Sequence, residues 1–235
     1  MGNIIGLSTA VLRGMGFDLN QTISFFSSLN CNATELTFED VADFYNYVPD
    51  RNALDFFNRA GYLSLHFPFK FRYRGNVETE KLIFDVCRFG ERYGVNNFTL
   101  HPSRKGDVEE SFGNSFAARR ISFENCRKRN AFQVYQALYH AYRTKWVFDT
   151  THALAVSSEH FDELVSWFLK EKNLVQIHFS DYQNTGSVRT HQPIGNNLDL
   201  LNRIRKLPVP IIIEATYSDI SSVVGDFEFV RKNFS

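Results

Sequence analysis

Histidines and carboxylates recur in this sequence where short apolar runs end, and side chains of these types can bind a metal ion. The residues that end such a run are His66, His101, Glu124, Asp149, His178 and Glu214, and His152 and His191 follow two of the runs closely. If the carboxylates converge, they repel one another unless a cation compensates them, and neutral imidazoles beside them complete a mixed nitrogen and oxygen ligand set. We therefore expect a divalent metal, zinc or manganese first, with cobalt or magnesium as alternatives.

Each of these residues has a simpler explanation when it is taken alone. A single strand-end histidine is more often a hydrogen-bonded structural group, Glu124 could be the buried partner of an arginine, and Asp149 could cap the turn that follows it. The joint pattern favours a site, because all of these residues fall at equivalent positions of a repeating unit. His140 and His160 lie within expected helices, and we interpret them as packing or surface histidines.

The elements that must position these side chains alternate between short apolar runs and longer amphipathic stretches, which is typical of a parallel α/β sheet. The apolar runs predict eight strands: Ile4–Ser8, Ala33–Leu36, Tyr62–His66, Asn97–His101, Ile121–Glu124, Trp146–Asp149, Val175–Phe179 and Pro210–Glu214. The stretches between them predict seven helices: Leu19–Leu29, Arg51–Ala60, Glu78–Tyr93, Phe132–Tyr142, Glu159–Lys170, Leu198–Lys206 and Ile220–Asn233. The segment Lys105–Arg120 is interpreted as a loop with a short helix.

Eight strand–helix units in 235 residues favour a closed (β/α)₈ TIM barrel over an open sheet. The first turn, Ser8-Thr9-Ala10-Val11, lacks the Gly-x-Gly-x-x-Gly pattern of open dinucleotide-binding sheets. We predict one α/β domain over residues 1–235. The carboxyl ends of the strands of such a barrel meet at one mouth, where catalytic residues are expected.

The composition narrows the class of protein further. Lysine plus arginine and aspartate plus glutamate both number 26, so the chain has no basic excess of the kind that a dedicated nucleic-acid binder shows. Three widely spaced cysteines do not indicate a disulfide framework. No apolar run approaches the ~20 residues that cross a bilayer, and the N-terminus lacks a signal-peptide pattern. We expect a cytoplasmic protein that has no membrane contact.

The motifs around the strand-end histidines and carboxylates, taken in their order along the chain, resemble those of the xylose isomerase-like TIM barrel superfamily. This superfamily includes the sugar phosphate isomerase/epimerases and endonuclease IV (AP endonuclease family 2). The resemblance runs from the first strand to the eighth. Its most specific elements are Asp149-Thr150-Thr151-His152-Ala153 and His178-Phe179-Ser180-Asp181, the latter followed by His191-Gln192-Pro193-Ile194-Gly195, while Phe123-Glu124-Asn125 is weaker by itself. In both branches, the resemblance implies a core metal held by Glu124, Asp149, His178 and Glu214.

For the endonuclease IV branch, the resemblance implies two further ions. One would be held by His66 and His101, with Glu124 as a bridge, and the other by His152, His191 and an aspartate two residues before His191. This sequence has Arg189 at that position, and the fixed positive charge of an arginine cannot ligate a metal. The departure puts a complete third metal site in doubt, and in the epimerase branch such an arginine suits a substrate hydroxyl, carboxylate or phosphate.

The hypothesis that the sequence favours is a metal-dependent isomerase or epimerase of a small sugar or sugar phosphate. A metal-chelated carbonyl acidifies the neighbouring proton, which Glu124 and Glu214 would remove and return as the catalytic residues. His152 and Arg189 would orient substrate oxygens, and His66 and His191 are assigned to substrate binding as well. A lyase or dehydratase that begins with the same proton abstraction is a related alternative.

The alternative hypothesis is an endonuclease IV-like zinc phosphodiesterase that acts at abasic sites, and only under it is DNA a partner. His66 and His101 favour it, because a mononuclear isomerase does not need them as ligands, whereas Arg189, the zero net charge and the short chain oppose it. The run from Phe69 to Arg74 interleaves aromatic and cationic residues, as in a nucleic-acid loop or a lid over a phosphorylated small molecule.

A third reading is a barrel that has lost catalysis and serves as a binding module. Both glutamates and the core histidine are present, which disfavours this reading. Barrels of this kind often form homodimers, although no surface stripe in the sequence indicates one.

Overall fold

A computed structural model describes residues 4–71, 73, 76–101, 121–125, 127, 136, 143–184 and 189–234, with only the backbone described for residues 184, 189 and 190. Its strands are β1 (Ile5–Ser8), β2 (Ala33–Thr37), β3 (Tyr62–His66), β4 (Asn97–Leu100), β5 (Ile121–Glu124), β6 (Lys145–Asp149), β7 (Leu174–Phe179), β8 (Asp181–Asn184), β9 (Arg189–Gln192) and β10 (Ile211–Ile213). Eight of them close into a parallel barrel in the order β1-β10-β7-β6-β5-β4-β3-β2, and β8 and β9 pair as an antiparallel hairpin. The predicted (β/α)₈ barrel is confirmed.

The helices of the described residues are a 3₁₀-helix (Thr9–Met15), α1 (Leu19–Ser28), α2 (Val41–Asn46), α3 (Arg51–Arg59), α4 (Val77–Tyr93), α5 (Thr150–Leu154), α6 (Ser158–Glu171), α7 (Leu198–Ile204) and α8 (Ile220–Phe234). Six of these match predicted helices to within two residues. The predicted helix Phe132–Tyr142 and the segment Lys105–Arg120 lie outside the described residues. Within the described part of the chain, no helix has the length and apolarity needed to cross a bilayer.

The sequence analysis missed the 3₁₀-helix, α2, α5 and the β8–β9 hairpin. Each of these helices is too short to show a clear 3.6-residue repeat, so local capping defines it instead. For α2, the Asp40 side chain accepts from the Asp43 backbone N–H, and the Asp43 side chain accepts from that of Asp40. By contrast, α4 ends as predicted, because Gly94 adopts a left-handed φ of 72°.

Strand alternation separates an apolar outer layer from an interior that is apolar at Ala33, Tyr62 and Ile212 and polar nearer the mouth. In β7, Ile177 and Phe179 join the hydrophobic core between the barrel and its helices, whereas Gln176 and His178 point inward. The Tyr62 hydroxyl on β3 donates to Gln176 Oε1 at 2.9 Å, and these two strands are not neighbours in the barrel. Side chains therefore meet across the interior, and a polar layer lies beneath the mouth.

Aromatic side chains fill much of the space between the barrel and the outer helices. The Phe148 ring on β6 packs 5.1 Å from that of Phe161 and 5.3 Å from that of Phe168, both on α6. Trp146, on the same strand, lies 6.0 Å from Trp167. These contacts hold α6 against β6, the strand that ends in Asp149.

The close approach of β1 to β2 generates a prediction about stability. A Cβ on Gly6 would lie 2.4 Å from the Ala33 carbonyl oxygen and 2.6 Å from its carbon, and backbone atoms of a barrel strand cannot move aside cheaply. We expect Gly6→Ala to lower the free energy of unfolding by about 1–3 kcal/mol or more in urea denaturation. The matched control is Gly225→Ala in α8, whose Cβ would meet no atom within 4 Å and should raise stability by up to ~1 kcal/mol. Equal effects of the two substitutions would contradict this account of the strand contact.

Candidate metal centre

The carboxylate of Glu124, at the end of β5, stands at the centre of the mouth and contacts four imidazoles. Its Oε2 lies 3.3 Å from His66 Nε2, 3.0 Å from His101 Nε2 and 3.3 Å from His178 Nδ1, and its Oε1 lies 2.9 Å from His152 Nδ1. Burial alone would raise the pKa of Glu124, but His101 and His178 beside it hold that pKa well below its usual value. Glu124 is therefore an ionised acceptor shared by several potential ligands.

Five histidines form a continuous row of rings across the mouth. The centroid of the His66 ring lies 4.9 Å from that of His101 and 6.0 Å from that of His178. The row continues from His101 to His152 at 5.6 Å and from His152 to His191 at 5.4 Å. These residues come from the ends of β3, β4 and β7, from α5 and from β9, so only closure of the barrel brings them together.

His178 is fully buried, and each of its ring nitrogens faces a carboxylate. Nδ1 lies 2.9 Å from Glu214 Oε2 on the mouth side, and Nε2 lies 2.8 Å from Glu35 Oε1 on the interior side. Burial lowers the pKa of His178, but Glu35 and Glu214 outweigh it and raise that pKa well above its usual value. Glu35 was not singled out in the sequence, although a glutamate in the middle of a short buried strand is a signal that could have identified it.

The two carboxylate oxygens of Asp149, at the end of β6, make different contacts. Oδ1 accepts from the His152 backbone N–H at 2.5 Å and so caps α5, which carries the His152 ring. Oδ2 is buried, has no hydrogen-bond partner among the described residues and lies 3.6 Å from His191 Nδ1. Burial lowers the pKa of His152, but Asp149 and Glu124 outweigh it and raise that pKa to about 9.

The side chain of Asn125 extends the pairing of β5 and β6 beyond the last strand residues. Its Oδ1 accepts from the Asp149 backbone N–H at 2.6 Å, and its Nδ2 donates to the Asp149 carbonyl at 3.0 Å. The Asn125 carbonyl also lies 2.7 Å from His152 Nδ1. One buried amide thus fixes Glu124, which precedes it, relative to Asp149 and His152.

The β8–β9 hairpin brings His191 to the mouth. Tyr182 pairs with His191 in the hairpin, and His191 Nδ1 lies 3.0 Å from both Ser180 Oγ and the Glu214 carbonyl oxygen. Arg189 begins β9, and its side chain lies outside the described residues. The roles expected of Arg189 therefore stay predictions.

Four groups of three side chains place their donor atoms within 4.8 Å of one another in the described part of the chain. The groups are Glu124, Asp149 and His178; His66, His101 and Glu124; Asp149, His152 and His191; and Glu35, His178 and Glu214. The first group is a core from which the second and third extend through Glu124 and Asp149. In the third group, Asp149 lies beside His152 and His191 as the carboxylate, whereas the resemblance had implied an aspartate at position 189.

Unpaired buried atoms show that these side chains fit a divalent metal. Asp149 Oδ2 and His178 Nδ1 are both buried without a hydrogen-bond partner in the described structure. Although a Glu214 oxygen lies 2.9 Å from His178 Nδ1, its direction does not form a hydrogen bond. Buried polar atoms are normally satisfied, and a cation between an imidazole nitrogen and carboxylate oxygens would satisfy both of these.

Solved structures share this fold at low sequence identity. The structure of SacUVDE matches with a TM-score of 0.65 at 14% sequence identity, over 99% of this chain and 100% of its own. A sugar phosphate isomerase/epimerase from Parabacteroides distasonis ATCC 8503 matches with a TM-score of 0.65 at 11% sequence identity, over 98% of this chain and 93% of its own. A D-allulose 3-epimerase from Methylomonas sp. matches with a TM-score of 0.64 at 13% sequence identity, over 98% of both chains.

These likenesses show that the chain has the xylose isomerase-like TIM barrel fold. No family model and no curated protein matches the sequence. At 11–14% identity these neighbours show the fold alone, so the choice between the two chemistries depends on the geometry of the mouth.

The bond between the Asn125 amide and the Asp149 backbone generates a second prediction. Asn125→Ala leaves a buried N–H and a buried carbonyl without partners, so we expect urea denaturation to show a loss of roughly 1–3 kcal/mol for each unpaired group. The matched control is Asn20→Ala, because Asn20 makes the same kind of amide pair on the surface, with the Val48 carbonyl at 3.1 Å and the Asp50 N–H at 3.2 Å. That exposed pair should contribute less than about 1 kcal/mol. A loss at Asn125 no larger than the loss at Asn20 would contradict the assignment.

Proposed function

We propose that this protein is a metal-dependent phosphodiesterase that cuts DNA at abasic sites. We also propose that the chain forms one domain and is a member of the xylose isomerase-like superfamily. The observation that carries the proposal is the pair of ligand groups beside the core group. His66 and His101 each place a ring nitrogen within 3.3 Å of Glu124 Oε2, an arrangement for which a mononuclear isomerase has no need. The geometry therefore favours the hypothesis that the sequence alone ranked second.

The residues that would hold the ions follow from the groups. Glu124 would bridge the core group and the His66–His101 group, and Asp149 would join the core group to His152 and His191. Divalent ions bound in this way supply an activated water and neutralise the charge of the phosphate and its leaving oxygen. Zinc and manganese both suit such a mixed nitrogen and oxygen ligand set.

The side chains of this protein would bind the phosphodiester and orient the water. His101 and His191 have the most exposed side chains of the five imidazoles, at 42% and 20%, and a ring N–H that does not face an ion can donate to a phosphodiester oxygen. The Glu214 side chain is 20% exposed, whereas those of Glu124 and Asp149 are 2% and 0% exposed. Burial by itself would raise the pKa of Glu214, but the neighbouring His178 outweighs burial and holds that pKa well below its usual value. Glu214 is therefore ionised and can accept a hydrogen bond from a water molecule.

An isomerase or epimerase of a small sugar or sugar phosphate is the second candidate. The observation that favours it is that Glu214 and Glu124 both approach His178 Nδ1, at 2.9 and 3.3 Å, so that two carboxylates surround one core position. The D-allulose 3-epimerase among the structural neighbours is consistent with that chemistry. Under this reading, one ion would suffice, and His66, His152, Arg189 and His191 would bind substrate.

The test of the proposed function is incision of a labelled duplex that contains one abasic site, with the protein loaded with zinc or with manganese. We expect incision at that site and none in the undamaged duplex, and loss of activity after chelation. Glu124→Gln should abolish incision, and His66→Gln should lower it at least ~10-fold, because each removes a ligand of the pair of adjacent ions. His160→Gln is the matched control, since His160 is a buried histidine on α6 outside the ligand groups and its loss should leave the rate within about twofold.

Metal stoichiometry separates the two candidates. We expect more than one zinc or manganese ion per chain by elemental analysis, and fewer in His66→Gln. One tightly bound ion with no incision, together with exchange of a carbon-bound deuterium from a ketohexose or its phosphate, would overturn the phosphodiesterase and support the epimerase. Incision that survives Glu124→Gln would contradict the proposed ligand set.

A further inference from the structure

Glu35 is a fully buried carboxylate inside the barrel, one layer beneath the mouth. Its Oε2 accepts hydrogen bonds from Ser64 Oγ at 3.0 Å, Thr99 Oγ1 at 2.9 Å and Gln176 Nε2 at 2.7 Å. These donors come from β3, β4 and β7, so three strands hold the carboxylate in one orientation. A group that accepts three hydrogen bonds on one oxygen is held in its ionised form.

The second oxygen of Glu35 faces His178. Oε1 lies 2.8 Å from His178 Nε2, and no lysine or arginine of the described residues forms an ion pair with this carboxylate. Gln176 Nε2 also lies 2.8 Å from His178 Nε2, and its amide has two N–H groups, of which one donates to Glu35 Oε2. The other can donate to His178 Nε2 only when that nitrogen carries no proton, so Gln176 and Glu35 compete for Nε2. Glu35 Oε1 is buried without a hydrogen-bond partner in the described structure, so a proton on Nε2 would find its acceptor there. A charged acceptor makes a stronger hydrogen bond than a neutral amide donor, which favours Glu35 in this competition.

The position of one proton decides whether His178 can bind a metal on the mouth side. A proton on Nδ1 would point at Glu214 and Glu124 and occupy the place where an ion must bind. A proton on Nε2 would point at Glu35 and leave the Nδ1 lone pair free for the ion. Histidine ligands commonly donate the other ring N–H to a carboxylate, which fixes both the tautomer and the orientation of the ring.

We propose that Glu35 is a positioning residue that holds the His178 proton on Nε2 and thereby presents Nδ1 to the core metal. Glu35 is 0% exposed, so it acts through His178 and not on the substrate. This inference rests on the metal-binding part of the proposed function, and it holds for either candidate reaction because both use the core group.

The test measures metal binding directly. Glu35→Gln keeps the shape of the side chain and removes its charge, so we expect the affinity for the tightest-bound cobalt(II) or zinc ion to fall about 10- to 100-fold in competition with a chelator. The visible absorption bands of the cobalt-saturated variant should match those of the wild type, because the ligands are unchanged. Long-range ¹H–¹⁵N spectra of the zinc-loaded wild type, with His178 assigned by comparison with His178→Gln, should show the proton on Nε2.

Two further variants keep the test informative if Glu35→Gln does not fold. Thr99→Val removes one of the three donors that orient Glu35 and should weaken the tightest site about 3- to 10-fold. The matched control is Thr34→Val, since Thr34 is the neighbouring buried residue on β2 and donates to the Leu7 carbonyl at 2.7 Å, away from Glu35. Thr34→Val should leave the affinity within about twofold.

Several results would overturn the inference. The first is a metal affinity of Glu35→Gln within threefold of that of the wild type. The second is a shift of the cobalt absorption bands in the saturated variant, which would make Glu35 itself a metal ligand. The third is a His178 proton on Nδ1 in the zinc-loaded wild type. A wild type that binds no ion would overturn both this inference and the proposed function. Wild-type binding that Glu35→Gln weakens, without any incision of abasic DNA, would support the role of Glu35 and contradict the phosphodiesterase.

Discussion

Four carboxylates converge at and beneath the mouth of this barrel, and a folded chain can bury them only if positive charge or hydrogen-bond donors stand beside each one. Glu124 has four imidazoles around it, Glu35 and Glu214 share His178, and Asp149 caps α5 and faces His191. Among these side chains, Asp149 Oδ2, His178 Nδ1 and Glu35 Oε1 are still buried without hydrogen-bond partners in the described structure. A divalent cation would satisfy these atoms and compensate the remaining charge, which is the main support for the metal binding that we propose.

The architecture supplies this arrangement through two simple regularities. Parallel strands end at one mouth, so residues far apart in the sequence become neighbours there. Alternation within each strand sends aromatic and aliphatic side chains outward into the core, and it sends Glu35, Ser64, Thr99 and Gln176 inward. This inward layer is therefore polar, and Glu35 within it lies directly beneath the imidazole of His178.

The number of ligand groups, more than the fold, separates the candidate reactions. Proton transfer beside a chelated carbonyl needs one ion, and the core group alone could hold it. Cleavage of a phosphodiester gains from adjacent ions that stabilise the attacking and leaving oxygens together. The ligand groups that share Glu124 and Asp149 provide such adjacency.

The barrel, its strands and most helices could be predicted from the amino-acid sequence, because they follow from repeating local patterns. The same patterns identified the six residues at strand ends, together with His152 and His191, all of which the structure brings to the mouth. The sequence did not reveal Glu35, whose mid-strand position becomes meaningful only when β2, β3, β4 and β7 surround one interior. Nor did it show that Asp149 joins His152 and His191, since Arg189 occupies the position where an aspartate was sought. Such groupings depend on distances between side chains from different strands, and only the closed barrel sets those distances.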